Sequence, residues 1–268
     1  MLKKINGLCY GPFRDGQSPI TKIYPSLKEV KDDIKLFKKI LKKNALVKTF
    51  STTDILNEIP KLLKQNDLRS LPTCSLDRGR WISVKEFHQL IDIANKGLVR
   101  QIVVGDMVLT RNILSYRELL TYIKKAKTKT NAQVSTSNHW QIWLKYPKLV
   151  KEIDFISVGI YPHKKKIPFN KALNFVDEVT KKIQAINPEK KTIIIDSGWP
   201  VAEYGSQKAT YNRENQVQYI NDFTGYCEKN KLQYIIFEAF DENWKKIYEK
   251  DFSTRLGIFT ADRKMKEN

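Results

Sequence analysis

Short apolar, β-prone runs alternate along the chain with longer stretches whose apolar residues recur every third or fourth position. The runs cover 5–10, 45–50, 68–74, 101–105, 132–136, 154–158, 192–196 and 234–238. Nearly continuous apolar runs suit strands covered on both faces, and amphipathic stretches between them suit helices packed on a parallel sheet. The stretch 27–41 places Leu27, Val30, Ile34, Phe37 and Leu41 close to a 3.6-residue period, as a helix requires. Eight strands alternating with helices predict an α/β fold closed into a (β/α)8 TIM barrel. An open doubly wound sheet shares this periodicity, but no glycine-rich phosphate loop follows the first strand. Segments 187–190 and 205–207 read as ordinary loops. No low-complexity linker interrupts the rhythm, so residues 1–268 are expected to form a single barrel domain.

Composition narrows the class. Hydrophobic residues make up 41% and aromatic residues 11%, enough for a sizeable core and too many for a disordered chain. No apolar run reaches the roughly 18 residues of a membrane span, and the start, MLKKINGLCYGPF, lacks an apolar signal core. The expectation is a chain without a transmembrane segment, cytoplasmic unless trimmed at its first strand. Cys9, Cys74 and Cys227 are odd in number and widely spaced, which suits small reduced core residues. The net charge of +19 raises nucleic acid, anionic lipid and acidic polysaccharide as partners. Lys35, Lys38, Lys39, Lys42 and Lys43, however, decorate a solvated helix face, and no nucleic-acid module is recognisable, so no nucleic-acid partner is expected. Nothing in the pattern fixes an oligomeric state.

In a barrel of this kind, chemistry sits at the C-terminal ends of the strands and in the loops beyond them. The segments 10–19, 197–200 and 239–245 there combine turn residues, aromatics and charge. That mixture suits a sugar, whose apolar ring faces stack on aromatic rings while its hydroxyls need polar partners. Trp199 and Trp244 lie beyond strand ends and read as site residues, whereas Trp81 and Trp143 read as packing residues. His88 falls in a helical pattern, and His139 and His163 lack triad or metal spacing, so no metal is expected.

Several motifs then share one order. GLCYGPFRDGQSP, VVGDMVLTRNILS, VSTSNHWQIWLKYPKLVKEIDFISV, IIIDSGWP, FEAFDENWK and LGIFTADRK resemble the motifs of bacterial members of glycoside hydrolase family 17, from Gly7 almost to the C-terminus. The resemblance implies a (β/α)8 fold, a β-1,3-glucan-type polysaccharide or oligosaccharide as partner, and retaining hydrolysis by two glutamates without metal or organic cofactor.

Retaining chemistry needs two carboxyl groups about 5–5.5 Å apart, one attacking the anomeric carbon and one protonating the leaving oxygen. The family's acid is the glutamate of a GNEV-like motif ending strand four, which here reads Gly105-Asp106-Met107-Val108. Met107 at the acid position carries no proton. Asp106 matches the family's asparagine, and strand alternation would point it away from the acid's direction. The nucleophile of the E-x-G-W-P motif is matched by Asp196, one methylene shorter. The family pattern departs again at Asn138, at His163-Lys164-Lys165-Lys166, and at Lys48-Thr49-Phe50, where an Arg-x-Tyr arrangement is common. Tyr10, Arg14, Gln17, Trp199, Glu238, Asp241, Trp244 and Lys245 keep the pattern and, with Lys48 and Asn138, are the expected substrate contacts. Tyr10, Asp106, Asp196 and Glu238 are expected to gather at one rim. The leading expectation is a glucan-binding family 17-like protein with lost or strongly reduced hydrolysis. The alternatives are an active retaining glucosidase or transglycosylase using Asp196 with Asp106, Glu238 or Asp241 as recruited acid, and a basic structural or interaction protein.

Overall fold

In a computed structural model, residues 1–76, 79–202, 210–247 and 254–267 are described; the loop at 205–207 lies outside them. The strands are β1 (Ile5–Cys9), β2 (Leu41–Lys48), β3 (Arg69–Leu71), β4 (Thr73–Cys74), β5 (Gln101–Asp106), β6 (Gln133–His139), β7 (Ile156–Gly159), β8 (Thr192–Ser197) and β9 (Gln233–Ile236). Neighbours pair in parallel in the order β3-β2-β1-β9-β8-β7-β6-β5-β4. Pro72 divides β3 from β4 because it has no N–H for a ladder, yet its carbonyl still accepts from Val103 N at 3.0 Å. With β3 on β2 and β4 on β5, the two pieces are halves of one stave, and the sheet is a TIM barrel. Each of the eight apolar runs in the sequence holds one stave.

The helices are α1 (Leu27–Ile40), α2 (Ile59–Lys64), α3 (Arg80–Asn95), α4 (Tyr116–Lys129), α5 (Trp140–Lys145), α6 (Ala172–Ile186) and α7 (Arg213–Lys229). Ser26 and Glu29 form a capping box that starts α1, and Ser115 and Glu118 do the same for α4. On α1 the stripe Val30, Ile34 and Phe37 is buried, while Lys35, Lys38 and Lys39 stay exposed.

Alternation along the strands creates two apolar layers. Cys9, Leu46, Leu71, Val103, Ile193 and Ile235 fill the barrel interior. Leu8, Val47, Ile102, Ile194 and Ile236 face outward into the layer shared with Phe37, Leu90 and Ile123 of the helices. Cys9, Cys74 and Cys227 are free and buried. Trp143 is fully buried, but Trp81 is 87% exposed and is not a packing residue. The buried stripe of α3 runs through Ser83, Glu86, Phe87, Leu90 and Ala94, and Trp81 lies off it.

Candidate active site

A cleft of about 600 Å³ opens at the C-terminal end of the barrel, lined by residues that end strands or follow them. Gly11 and Phe13 come from beyond β1, Phe50 and Ser51 from beyond β2, and Phe237, Glu242, Trp244 and Lys245 from beyond β9. Asp106 and Met107 arrive from β5, and Asp196 from β8.

Two strand irregularities aim the acids. The β5–β6 register shifts between Val103 and Asp106, where Gly105 takes φ +80° and Met107 takes φ 56°. These left-handed residues break the alternation, so Asp106 and Met107 both line the cleft. The expectation that Asp106 would point away from the acid's direction does not hold for that reason. A second shift separates Ile194 from Ser197 against β9. Ile195 faces the interior, Asp196 lines the cleft, and Ser197 turns out to share a hydrogen bond of 2.7 Å with Tyr219 of α7.

Lys48, with no exposed surface, ends β2 between these acids. Its Nζ donates to Asp106 Oδ1 at 2.9 Å and to both carboxylate oxygens of Asp196 at 3.3 Å. The Cys9 thiol donates to Asp196 Oδ1 at 2.9 Å. Burial works against the Lys48 charge, but Asp106 and Asp196 outweigh it and raise the lysine above its usual range. Burial would also raise Asp106, yet Lys48 and Arg111 hold its carboxyl below the ordinary value. Asp196 is raised, because burial, helped by Asp106, outweighs Lys48. Nζ also lies 4.3 Å from the centre of the Phe50 ring.

A second charged group occupies the β9 side. Lys245 is salt-bridged to Glu238, and to Glu242 at 2.6 Å, and its ammonium stands 4.8 Å from the Phe237 ring centre. Burial pushes the Glu238 carboxyl well up despite Lys245, with Glu242 adding to the rise. Trp244 Nε1 donates to Glu242 Oε1 at 3.1 Å, which fixes the indole at the cleft wall.

The opposite wall is cationic and aromatic. Arg111, His139, Tyr161 and Lys164 line it. His139 and Tyr161 have ring centroids 5.4 Å apart, and Lys164 Nζ lies 5.1 Å from the Tyr161 ring centre. Burial first, then Lys164, Arg111 and Lys165, push His139 down to about 4, against the pull of Asp106.

Of the expected contacts, Asp106, Met107, Asp196, Trp244 and Lys245 line the cleft, while Lys48 and Glu238 meet it through their ion pairs. The others are placed elsewhere. Tyr10 follows Leu8 to the outer face, where its hydroxyl donates to Asp33 at 2.9 Å and its ring packs edge-on against Phe37. Arg14 and Arg263 clamp the same Asp33 at 3.0 and 3.1 Å. Gln17 donates to Glu29 at 3.4 Å and accepts from Arg14 N. Asn138 Oδ1 accepts from Leu109 N and Thr110 N, each at 3.2 Å, and holds the turn after β5. Trp199 is fully buried against Tyr211 and Tyr219, its Nε1 donating to Thr210 O at 3.0 Å. Asp241 accepts from Gly257 N and Lys266, both at 2.9 Å. The sequence reading passed over Cys9, Glu242, Arg111 and Tyr161 at the site; alternation along β1 was the signal that separates Cys9 from Tyr10. Among the described residues no group of three His, Cys, Asp or Glu side chains could hold a metal ion, and no helix is long and apolar enough to cross a membrane.

Comparison with known proteins adds three findings. The family model of the BtgE/BtgC glycoside hydrolase domain matches residues 7–254. A probable glucan endo-1,3-beta-glucosidase, btgC, of Aspergillus terreus is 22% identical over 99% of this chain and 45% of its own length; a glucan 1,3-beta-glucosidase of Saccharomyces cerevisiae is 24% identical over 61% of this chain and 59% of its own. The chain thus spans less than two thirds of these curated relatives. The crystal structure of the family 17 β-1,3-glucanosyltransferase of Rhizomucor miehei superposes with a TM-score of 0.81, covering 98% of this chain and 95% of that one at 22% identity, which shows a shared fold.

Proposed function

The chain belongs to the BtgE/BtgC glycoside hydrolase domain family, and on that premise we propose that its cleft binds a β-1,3-glucan-type chain while hydrolysis is lost or strongly reduced. One observation carries this reading: the residue that follows β5 and lines the cleft beside the two aspartates is Met107, a thioether without a proton to give. General acid catalysis contributes about 10²–10⁴-fold, and it is missing at that position. The nucleophile is weakened independently. Asp196 is short, and its oxygens are occupied by Lys48 and Cys9. A misplacement of about 1 Å can cost roughly 100-fold when attack geometry is demanding. A cation beside the nucleophile accords with the arginine common at this place in the family pattern, so Lys48 alone does not account for the loss. Phe50, Phe237 and Trp244 supply ring faces for sugars, and Lys245 and Glu242 supply polar partners.

The test is a set of four proteins: wild type, Met107→Glu, Asp196→Glu and the double variant. All four are titrated calorimetrically with laminarihexaose and assayed for its hydrolysis. Binding in all four, with a rate gain confined to the double variant, supports the reading, because each carboxyl is useful only when the other is in place. Absence of binding in all four refutes it.

A further inference from the structure

The end of the barrel away from the cleft gathers the starts of the strands and the ends of the helices, and cations collect there. Lys38 and Lys39 close α1, and Lys127 and Lys129 close α4. A cation at a helix C-terminus offsets the helix dipole, which accounts for those lysines. It does not account for Arg69, which opens β3, or for Arg100, which immediately precedes β5. Val103 N donates to Pro72 O at 3.0 Å, and three residues back along the two chains stand Arg100 and Arg69, as neighbours. Burial, and then the nearness of Arg100, hold the Arg69 guanidinium below its ordinary value. Asp67 on the flanking turn and Asp92 in the last turn of α3 are exposed, and among the described residues neither arginine has a carboxylate partner. Two like charges side by side without an acid between them are a match for an anion.

Arg100 also lines a pocket of about 300 Å³ between the ends of α3 and α4. Val99 and Ala132 give this pocket apolar surface, and Asn95, Thr130 and Asn131 give it amides and a hydroxyl. Its walls are pinned to the fold. Gln133 N donates to Arg100 O at 2.9 Å, Asn95 Nδ2 to Lys129 O at 3.0 Å, and Ala132 N to Thr130 Oγ1 at 3.2 Å. The Asn95 amide oxygen, the Thr130 hydroxyl hydrogen and the whole Asn131 amide are left for a guest. The volume is that of a small ligand rather than a bare ion, and the mixture of apolar surface, amide and hydroxyl suits a sugar. Single-stranded nucleic acid would need aromatic faces to stack on, and the pocket has none.

We propose that this pocket, with Arg100 and Arg69 at its edge, is a second glycan site that takes a sugar unit bearing a carboxylate or phosphate, so that the end of the barrel away from the cleft docks on an acidic polysaccharide. The sugar ring occupies the pocket, and its anion meets the two guanidinium groups. Arg100 is the selective element, since its planar fork donates two parallel hydrogen bonds to a carboxylate or phosphate. Arg69 spends only its Nε, on Asn44 O at 2.8 Å, and keeps its outer nitrogens for the same anion. The site shares no residue with the cleft, so the inference stands apart from the glucan-cleft reading.

The experiment titrates the full chain by calorimetry, at one ionic strength, with oligogalacturonate, a phosphomannan fragment and a neutral mannan fragment of matched length. Wild type should bind at least one acidic fragment about tenfold more tightly than the neutral one, a modest preference because both cations are solvent-exposed. Arg69→Gln combined with Arg100→Gln should abolish the preference. Arg100→Gln alone, which breaks no side-chain hydrogen bond among the described residues, should already lower it. Lys28→Gln combined with Lys31→Gln, on exposed positions of α1 toward the cleft end, removes the same charge and should keep it. Inorganic phosphate should bind more weakly than the preferred fragment, and saturating laminarihexaose should leave the preference intact. Equal affinity for the acidic and neutral fragments overturns the inference. So does a preference that survives the arginine variants or falls equally in the lysine variant, which would assign it to the overall charge of +19. Phosphate binding as tightly as the fragments would reduce the site to a simple anion site and overturn the glycan claim. Tighter binding to phosphatidylglycerol vesicles, or displacement of the acidic fragment by laminarihexaose, would overturn it as well, the first in favour of a membrane surface and the second in favour of the cleft.

Discussion

The ammonium of Lys48 stands 3.3 Å from both carboxylate oxygens of Asp196, with neither side chain open to solvent. Removing it takes away the cation that Asp106 and Asp196 share and leaves Arg111 as the remaining counter-charge to Asp106. Breaking a buried ion pair from one side typically costs about 3–5 kcal/mol, and Lys48→Met is expected to destabilise by about that much near neutral pH. Asp106 is depressed in the folded protein, so its contribution is present above the ordinary carboxylate range and is lost as pH falls through its lowered value. The deficit of Lys48→Met should therefore shrink on acidification. Adding Asp106→Asn and Asp196→Asn should recover much of the loss. Urea unfolding at acidic and neutral pH measures this, and an unchanged midpoint for Lys48→Met would contradict it.

Tyr10 belongs to the anchoring of α1 and the C-terminal segment, because it shares Asp33 with Arg14 and Arg263. Tyr10→Phe removes one buried hydrogen bond and is expected to cost about 1 kcal/mol of stability. Its affinity for laminarihexaose should stay within about twofold of wild type, well under 1 kcal/mol. A clear loss of binding at unchanged stability would return Tyr10 to the substrate contacts.

His139 titrates at about 4 in the fold against 6.5 for the free side chain. A base with a depressed folded value binds fewer protons folded than unfolded, so its contribution is present above 6.5 and is lost as pH falls through 4. Lys164, Arg111 and Lys165 face it as cations and Asp106 as the anion. His139→Gln should lose less stability than wild type between pH 6.5 and 4. Parallel stability curves for the two proteins over that window would refute this.

The barrel was legible because parallel strands covered on both faces read as unbroken apolar runs, and each run became a stave. Capping boxes at Ser26 and Ser115 made two helix starts equally plain. The site was legible only in part. Alternation from Leu8 would have sent Tyr10 outward, but a motif match carries no side-chain direction. At Asp106 and Asp196 alternation itself fails, because register shifts and the left-handed Gly105 and Met107 turn neighbouring residues to the same side. Trp199 stands beyond a strand end yet is sealed by Tyr211 and Tyr219, whereas Trp244 from a similar position reaches the cleft. The partner that decides between these outcomes comes from a distant segment, invisible to local pattern.

The central claim is that Met107 and the bound Asp196 leave a cleft that holds a glucan chain without cutting it. Turnover of laminarin by the wild-type chain, followed with a sensitive reducing-end readout beside calorimetric binding, tests it most directly. The account predicts saturable binding with hydrolysis at or near background. Turnover above about 1 per second, inside the ordinary enzyme range, would contradict it.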